Sequence, residues 1–194
     1  SDAAQGLSEE IIKQENLIYE AHSTDYQSES GLKKLVRDHY CILKVGPWLT
    51  FGYREALFAL SMIEDEIAGQ RGLKKSNLRE VIERTMVEDP TYWKKYYPGD
   101  EFEQAFKRKY SFSDRSRYYW PNENIQKSVS TLVSNLKEST ISLSLLSQYM
   151  PQQYIAINEG IIENDVEQII IHRTQEVIRL YARACNMRNA VNQK

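Results

Sequence analysis

A histidine and two carboxylic acids lie close together in residues 20–25 (EAHSTD). A short apolar run precedes them, so their side chains are expected at the end of a strand. Neutral imidazole is a zinc ligand, and carboxylates act as general acids or bases. The stretch therefore predicts a metal ligand in His22 and catalytic roles for Glu20 and Asp25. The alternatives are a simple hydrogen bond from His22 and loop-holding roles for the two acids.

A second group of residues has the types that bind the phosphate of a sugar. Ser23 and Thr24 follow the first strand, while Gly46 follows a second strand and precedes a helix that contains Thr50. Enzymes built on barrels often bind phosphate in such loops and at the N-terminus of the following helix. These four residues are predicted to bind phosphate. The alternatives are an ordinary turn in which Thr50 caps the helix, and Schiff-base chemistry for Lys44.

Two apolar runs position both groups of residues. Residues 17–21 and 41–45 are typical of buried strands, and Cys41 is expected to be a small buried side chain. Between them, residues 31–39 show apolar side chains at helical spacing, and residues 50–67 show the same pattern after the second strand. A connection of this length predicts parallel strands in a βαβ unit.

The remainder of the chain favours helices. A change of character at residues 69–76 suggests two domains, 1–70 with the βα units and 71–194 with a helical extension. Two parallel strands do not form a stable sheet alone, because parallel sheets are normally covered on both faces. We therefore expect the two units to end a larger α/β fold whose earlier strands lie outside this chain. Their free edges are expected to pair with other strands.

The composition argues against several function classes. The chain has 194 residues and a formal net charge of −2, which gives no overall field to attract nucleic acid or an anionic membrane. No apolar run approaches the roughly 20 residues that span a bilayer. Two distant cysteines show no zinc-binding spacing and fit a reducing compartment. These features predict a cytoplasmic protein without nucleic-acid or membrane partners.

An aromatic and basic stretch occupies residues 92–121. Single-stranded nucleic-acid binders interleave aromatic and cationic residues in this way. Helix packing or a subunit interface is the favoured interpretation, because tyrosines with a buried ring and a wet hydroxyl are common in both. Asp114, Arg115 and Arg117 are then expected to hold this loop through charged hydrogen bonds.

Several segments together resemble the Z-type subunit (GatZ/KbaZ) of class II D-tagatose-1,6-bisphosphate aldolase. The resemblance rests on residues 19–27 (YEAHSTDYQ), 42–47 (ILKVGP), 49–51 (LTF), 92–97 (YWKKYY), 113–115 (SDR), 117–121 (RYYWP) and 147–149 (SQY). It covers most of the chain but only about half of the family's usual length. The combination of motifs is specific to this family.

The resemblance implies a (β/α)8 (TIM) barrel of which this chain provides the last two βα units, followed by a helical extension. This α/β chain would itself be mainly helical with two parallel strands. The implied function is a non-catalytic subunit, in a hetero-oligomer, that a catalytic Y-type aldolase subunit needs for full activity and stability in galactitol or N-acetylgalactosamine breakdown. The alternative is a sugar-phosphate enzyme in its own right, either a class II aldolase using a divalent metal such as zinc or a tagatose 6-phosphate kinase.

Overall fold

The computed structural model describes residues 4–186 and divides them into two compact units. The smaller unit comprises residues up to 49 and from 175 onward, and the larger unit comprises residues 50–174. The described residues are mainly helical and contain two parallel strands, as predicted. The domain boundary near residue 70 stays a prediction.

The smaller unit contains the βαβ arrangement predicted from the apolar runs. Its elements in chain order are α1 (Gln5–Ile11), β1 (Tyr19–Ala21), α2 (Glu29–Arg37) and β2 (Tyr40–Leu43). The Ser28 side chain caps α2 by accepting a hydrogen bond from the Gly31 N–H, and Glu29 places negative charge in the first turn. Ser8 lies inside α1 and donates to the Asp38 carbonyl at 3.3 Å.

The two strands pair in parallel with Glu20 opposite Ile42 and Ala21 opposite Leu43. Both are shorter than expected, since residues 17 and 18 precede β1 and are exposed. The expectation that Cys41 is buried is wrong, because Cys41 is exposed on β2. A sheet of two strands, which is all that the described residues form, leaves much of its surface uncovered.

The larger unit is built from helices. They are α3 (Trp48–Arg71), α4 (Leu78–Glu88), α5 (Glu101–Tyr110), α6 (Glu123–Glu138), α7 (Leu143–Tyr149), α8 (Pro151–Asn158) and α9 (Val166–Ala184), with short 3-10 helices at Lys94–Tyr96 and Arg115–Tyr118. Residues 48–49 of α3 and 175–184 of α9 belong to the smaller unit. Asp165 caps α9 by accepting hydrogen bonds from two backbone N–H groups. Among residues 4–186, no helix combines the length and apolar character needed to cross a membrane.

A buried ion pair lies in the core of the larger unit. The guanidinium of Arg54 is 3.4 Å from the carboxylate of Asp114, and both side chains are almost fully buried. Asp114 also accepts hydrogen bonds from Thr50 at 2.6 Å and Ser116 at 2.7 Å. Burial of a carboxylate is costly unless it is paired and hydrogen-bonded, so this network compensates its own desolvation. The predicted loop-holding role of Asp114 is confirmed.

Trp93 gives a direct test of packing in the larger unit. Its ring is buried, its Nε1 donates to the Met86 carbonyl at 2.5 Å, and the Arg108 guanidinium lies 4.5 Å from the ring centroid. Trp93→Ala should lower the free energy of unfolding by about 3 kcal/mol or more, because it leaves a large cavity. Urea unfolding measures this loss.

Phe102→Ala is the matched control, because the Phe102 ring is 80% exposed. It should change the free energy of unfolding by no more than about 0.5 kcal/mol. Equal effects of the two substitutions would contradict the packing described for Trp93.

Candidate functional site

Three charged or polar side chains meet at the carboxyl ends of β1 and β2. Glu20 lies on β1, His22 directly follows it, and Lys44 directly follows β2. The Glu20 Oε1 atom is 2.5 Å from the His22 Nε2 atom and also contacts the Lys44 ammonium. Carboxyl ends of neighbouring parallel strands lie at the same sheet edge, which explains why residues so far apart in sequence come together.

The Lys44 ammonium lowers the pKa of Glu20 from its usual value of 4.5, chiefly through their hydrogen bond. The charges of Lys44 and His22 act in the same direction, while partial desolvation opposes them. Glu20 is therefore a carboxylate at neutral pH. This state suits a base or a partner for a cation, whereas a general acid must carry a proton. The catalytic role of Glu20 stays a prediction. The ionised state of its side chain would fit a general base better than a general acid.

Metal binding requires more donors than this cluster provides. Catalytic zinc takes three protein ligands, and residues 4–186 contain no group of three His, Cys, Asp or Glu side chains that could hold a metal ion. His22 and Glu20 form a pair only, and the Lys44 ammonium already binds the same Glu20 oxygen. The described residues thus do not fit a complete zinc site. A metal role for His22 would need ligands from outside them and stays a prediction.

Asp25 holds the turn that follows β2. Its carboxylate accepts hydrogen bonds from the Gly46 N–H at 2.8 and 3.0 Å and from the Trp48 N–H at 3.0 Å. The second of these groups lies at the start of α3, where the helix dipole favours a negative charge. Both oxygens of Asp25 are therefore engaged by backbone donors. These hydrogen bonds favour a role for Asp25 in positioning the turn. The catalytic role predicted for Asp25 stays a prediction.

The four residues predicted to bind phosphate have different surroundings. Ser23 is exposed, whereas Thr24 is buried and donates through its hydroxyl to the Lys44 carbonyl at 3.0 Å. The Gly46 N–H is bonded to Asp25, and Thr50, in the larger unit, lies within α3 and donates to Asp114. A phosphate group would compete with the Asp25 carboxylate for the Gly46 N–H. The phosphate-binding roles stay predictions.

Sequence reasoning missed Tyr181, which supports the loop after β1. The Tyr181 hydroxyl donates to the Thr24 carbonyl at 2.9 Å, and its ring contacts the edge of Trp48 with a centroid distance of 6.0 Å. Burial raises the pKa of this hydroxyl, so it stays protonated and remains a donor at neutral pH. Tyr181 and Thr24 are 157 residues apart, and no local pattern signals such a contact.

Gly46→Ala tests the close approach of Asp25 to the backbone. A Cβ atom at residue 46 would lie 2.7 Å from the Asp25 Oδ2 atom, which is closer than ordinary contacts allow. The carboxylate must then move and weaken its hydrogen bonds. The free energy of unfolding should fall by about 1 to 2 kcal/mol, the usual cost of losing a helix cap. Chemical unfolding is the measurement.

Gly69→Ala provides the control for that substitution. A Cβ atom at residue 69 meets nothing within 4 Å, and the residue lies inside α3. Alanine is favoured over glycine in a helix, so stability should be unchanged or slightly higher. If Gly46→Ala behaved in the same way, the Asp25 contact would not constrain residue 46.

Lys44→Gln should raise the pKa of Glu20 toward 4.5, because the ammonium is the largest cause of its depression. Carboxyl NMR titration of the whole chain measures the shift. His22→Ala should produce a smaller rise, since the imidazole contributes less. A larger rise in the His22 variant would contradict this order of causes.

The lowered pKa of Glu20 also makes the free energy of unfolding depend on pH. The folded-state pKa of Glu20 is lowered, so its ionised form stabilises the folded state above the unfolded-state pKa. This contribution disappears as the pH falls through the folded-state value. The Lys44→Gln variant should therefore lose less stability than the wild type on acidification below about pH 4.3.

Comparisons with known proteins place this geometry in context. The model of a family described as D-tagatose-1,6-bisphosphate aldolase subunit GatZ/KbaZ-like matches residues 1–186. Among solved structures, the chain is similar to a probable tagatose 6 phosphate kinase from Sinorhizobium meliloti 1021, with a TM-score of 0.88 and 37% sequence identity. The match covers 95% of this chain and 47% of the other, so this chain spans about half the length of that protein. These matches confirm the family resemblance and the fold class.

Proposed function

The chain belongs to the GatZ/KbaZ-like family of D-tagatose-1,6-bisphosphate aldolase subunits, and we propose that it acts within a non-catalytic subunit of such an aldolase. In this proposal the subunit supports the activity and stability of a separate catalytic Y-type subunit. The family assignment implies an aldolase complex and therefore a catalytic partner.

One structural observation carries the non-catalytic part of the proposal. The acidic side chains expected to do chemistry are bonded to groups of the chain itself. Asp25 accepts hydrogen bonds from the N–H groups of Gly46 and Trp48, and Glu20 binds the Lys44 ammonium. Groups used in this way stabilise the ends of the two strands. They suit a scaffold better than a site prepared to receive a substrate and a metal.

The finer features of the proposal follow from the family. We assign β1 and β2 to the last two strands of a TIM barrel, and residues 71–194 to its helical extension, of which 187–194 lie outside the described residues. The complex would be a hetero-oligomer that acts in the cytoplasm on a sugar phosphate derived from galactitol or N-acetylgalactosamine. The half-length match to the related solved structure is compatible with this assignment, because a complete barrel needs six more βα units.

The proposal predicts that the catalytic Y-type subunit gains activity and thermal stability when it is mixed with the full-length protein that contains this chain. The physical reason is that binding to the folded state of the catalytic subunit stabilises that state by mass action. Aldol cleavage of tagatose 1,6-bisphosphate and thermal unfolding of the mixture measure both effects. Unchanged activity together with an unchanged unfolding temperature would contradict the proposal.

A second candidate is a sugar-phosphate enzyme in its own right, with Glu20 and His22 in its site. The observation that favours it is the related solved structure, which is described as a probable tagatose 6 phosphate kinase. The sequence contains no GxxxxGK[ST] loop, so a P-loop mechanism is not supported. Turnover of a tagatose phosphate by the isolated full-length protein, in the absence of any Y-type subunit, would favour this candidate over the first.

A further inference from the structure

Six residues of the larger unit form a surface of alternating tyrosines and cations. Five of them lie in the two short 3-10 helices on either side of α5, and the sixth, Tyr92, lies just before the first of these helices. This Tyr–Arg surface consists of Tyr92, Lys95, Tyr96, Arg115, Arg117 and Tyr118. It uses none of the residues at the ends of β1 and β2.

Ring contacts connect the members of the Tyr–Arg surface. Tyr92 stacks on Tyr118 with a centroid distance of 5.2 Å, and the Arg117 guanidinium lies 4.5 Å from the Tyr118 centroid. The Arg115 guanidinium lies 3.4 Å from the Tyr96 centroid and 5.7 Å from that of Tyr118, so it contacts tyrosines from both 3-10 helices. Cation–π contacts of this kind fix the cations in place.

The three tyrosines remain accessible to a partner. Tyr92, Tyr96 and Tyr118 are 44%, 45% and 41% exposed. A contiguous group of large aromatic side chains on a surface marks an interaction site more often than a single one does. Tyrosine and arginine are also the residue types that contribute most to binding at protein interfaces.

The positive charges of this surface are not neutralised within the described part of the chain. No ion pair there joins Lys95, Arg115 or Arg117 to a carboxylate. Asp114 is adjacent in sequence but buried, and its charge is opposed by Arg54. Arg117 donates instead to the carbonyl oxygens of its own loop and to the Tyr118 hydroxyl. Fixed cations that form no ion pair attract carboxylates.

We propose that the Tyr–Arg surface binds an acidic segment of a partner protein. Carboxylates of that segment pair with the fixed cations, while the tyrosine edges and hydroxyls supply apolar contact and hydrogen bonds. Single-stranded nucleic acid fits less well, because its bases need free aromatic faces for stacking. Here Tyr92 and Tyr118 stack on each other, and the face of Tyr96 is occupied by Arg115.

The electrostatics of Tyr96 agree with this surface charge. A hydrogen bond from Lys95 lowers the pKa of the Tyr96 hydroxyl, and the charges of Lys95 and Arg115 act in the same direction. A hydroxyl whose anionic form is stabilised lies in a positive environment. Carboxylates would experience the same attraction.

The test uses a fluorescein-labelled synthetic peptide of aspartate, glutamate and glycine, titrated with the full chain. Fluorescence anisotropy should show binding that weakens as salt is added. Lys95→Glu should raise the dissociation constant about 10-fold, because it removes a fixed cation and adds a repulsive charge. Arg115→Gln should weaken binding in the same direction.

Lys127→Glu is the matched control, because it makes the same charge change at an exposed position of α6. It should alter the dissociation constant less than about twofold, since surface charges elsewhere act only weakly. Circular dichroism and thermal unfolding establish that each variant is folded. A folded Lys95→Glu variant that binds as tightly as the control overturns the proposal.

Two further outcomes also decide the matter. Absence of binding between the wild-type chain and the acidic peptide overturns the proposal. Tighter binding of a labelled oligothymidylate than of the peptide, with loss of that binding in the Lys95→Glu variant, overturns it in favour of a nucleic-acid surface.

Discussion

The candidate site depends on the hydrogen bonds that the Asp25 carboxylate accepts from the backbone. The carboxylate accepts hydrogen bonds from the N–H groups of Gly46 and Trp48 and so ties the loop after β1 to the turn after β2. Thr24, its neighbour, reinforces this connection by donating to the Lys44 carbonyl from both its N–H and its hydroxyl. With these bonds in place, Lys44 is held where its ammonium reaches Glu20. The arrangement of the charged groups is thus a consequence of backbone hydrogen bonding.

Local pattern was sufficient to predict β1, β2 and their parallel pairing, but not their exposure. Apolar runs identify residues that favour extended backbone, and a helical segment between two such runs leaves few arrangements other than a βαβ unit. Whether the runs are buried depends on what covers them. Cys41 and Ile42 are exposed on β2, which pairs only with β1 in the described part of the chain. The same limit applies to α5, where Phe102 and Phe106 are four residues apart on one face of the helix and lie exposed to solvent.

The candidate site shows the same division between residue type and residue partner. Sequence identified Glu20, His22 and Asp25 as titratable groups near a strand end. In the structure Glu20 contacts His22 and Lys44, whereas Asp25 accepts hydrogen bonds from the N–H groups of Gly46 and Trp48. The sequence could not show that Asp25 accepts hydrogen bonds from backbone N–H groups, because this depends on the path of the chain after β2. Tyr181 had no local signal at all, since its contact with Thr24 spans 157 residues. Function was therefore better indicated by family resemblance than by residue types alone.

The two-stranded sheet favours the proposed barrel over an independent small domain. Parallel strands normally have both faces covered, and their unpaired backbone groups are costly when they are buried. In the described residues, β1 and β2 pair only with each other, and exposed apolar side chains lie on β2 and just before β1. Additional strands beside them would bond the free edges, and closure of a barrel would cover the side chains that face its interior. The related solved structure, about twice as long, is large enough to contain such strands. An uncovered sheet edge and a half-length match are thus both compatible with the proposed barrel.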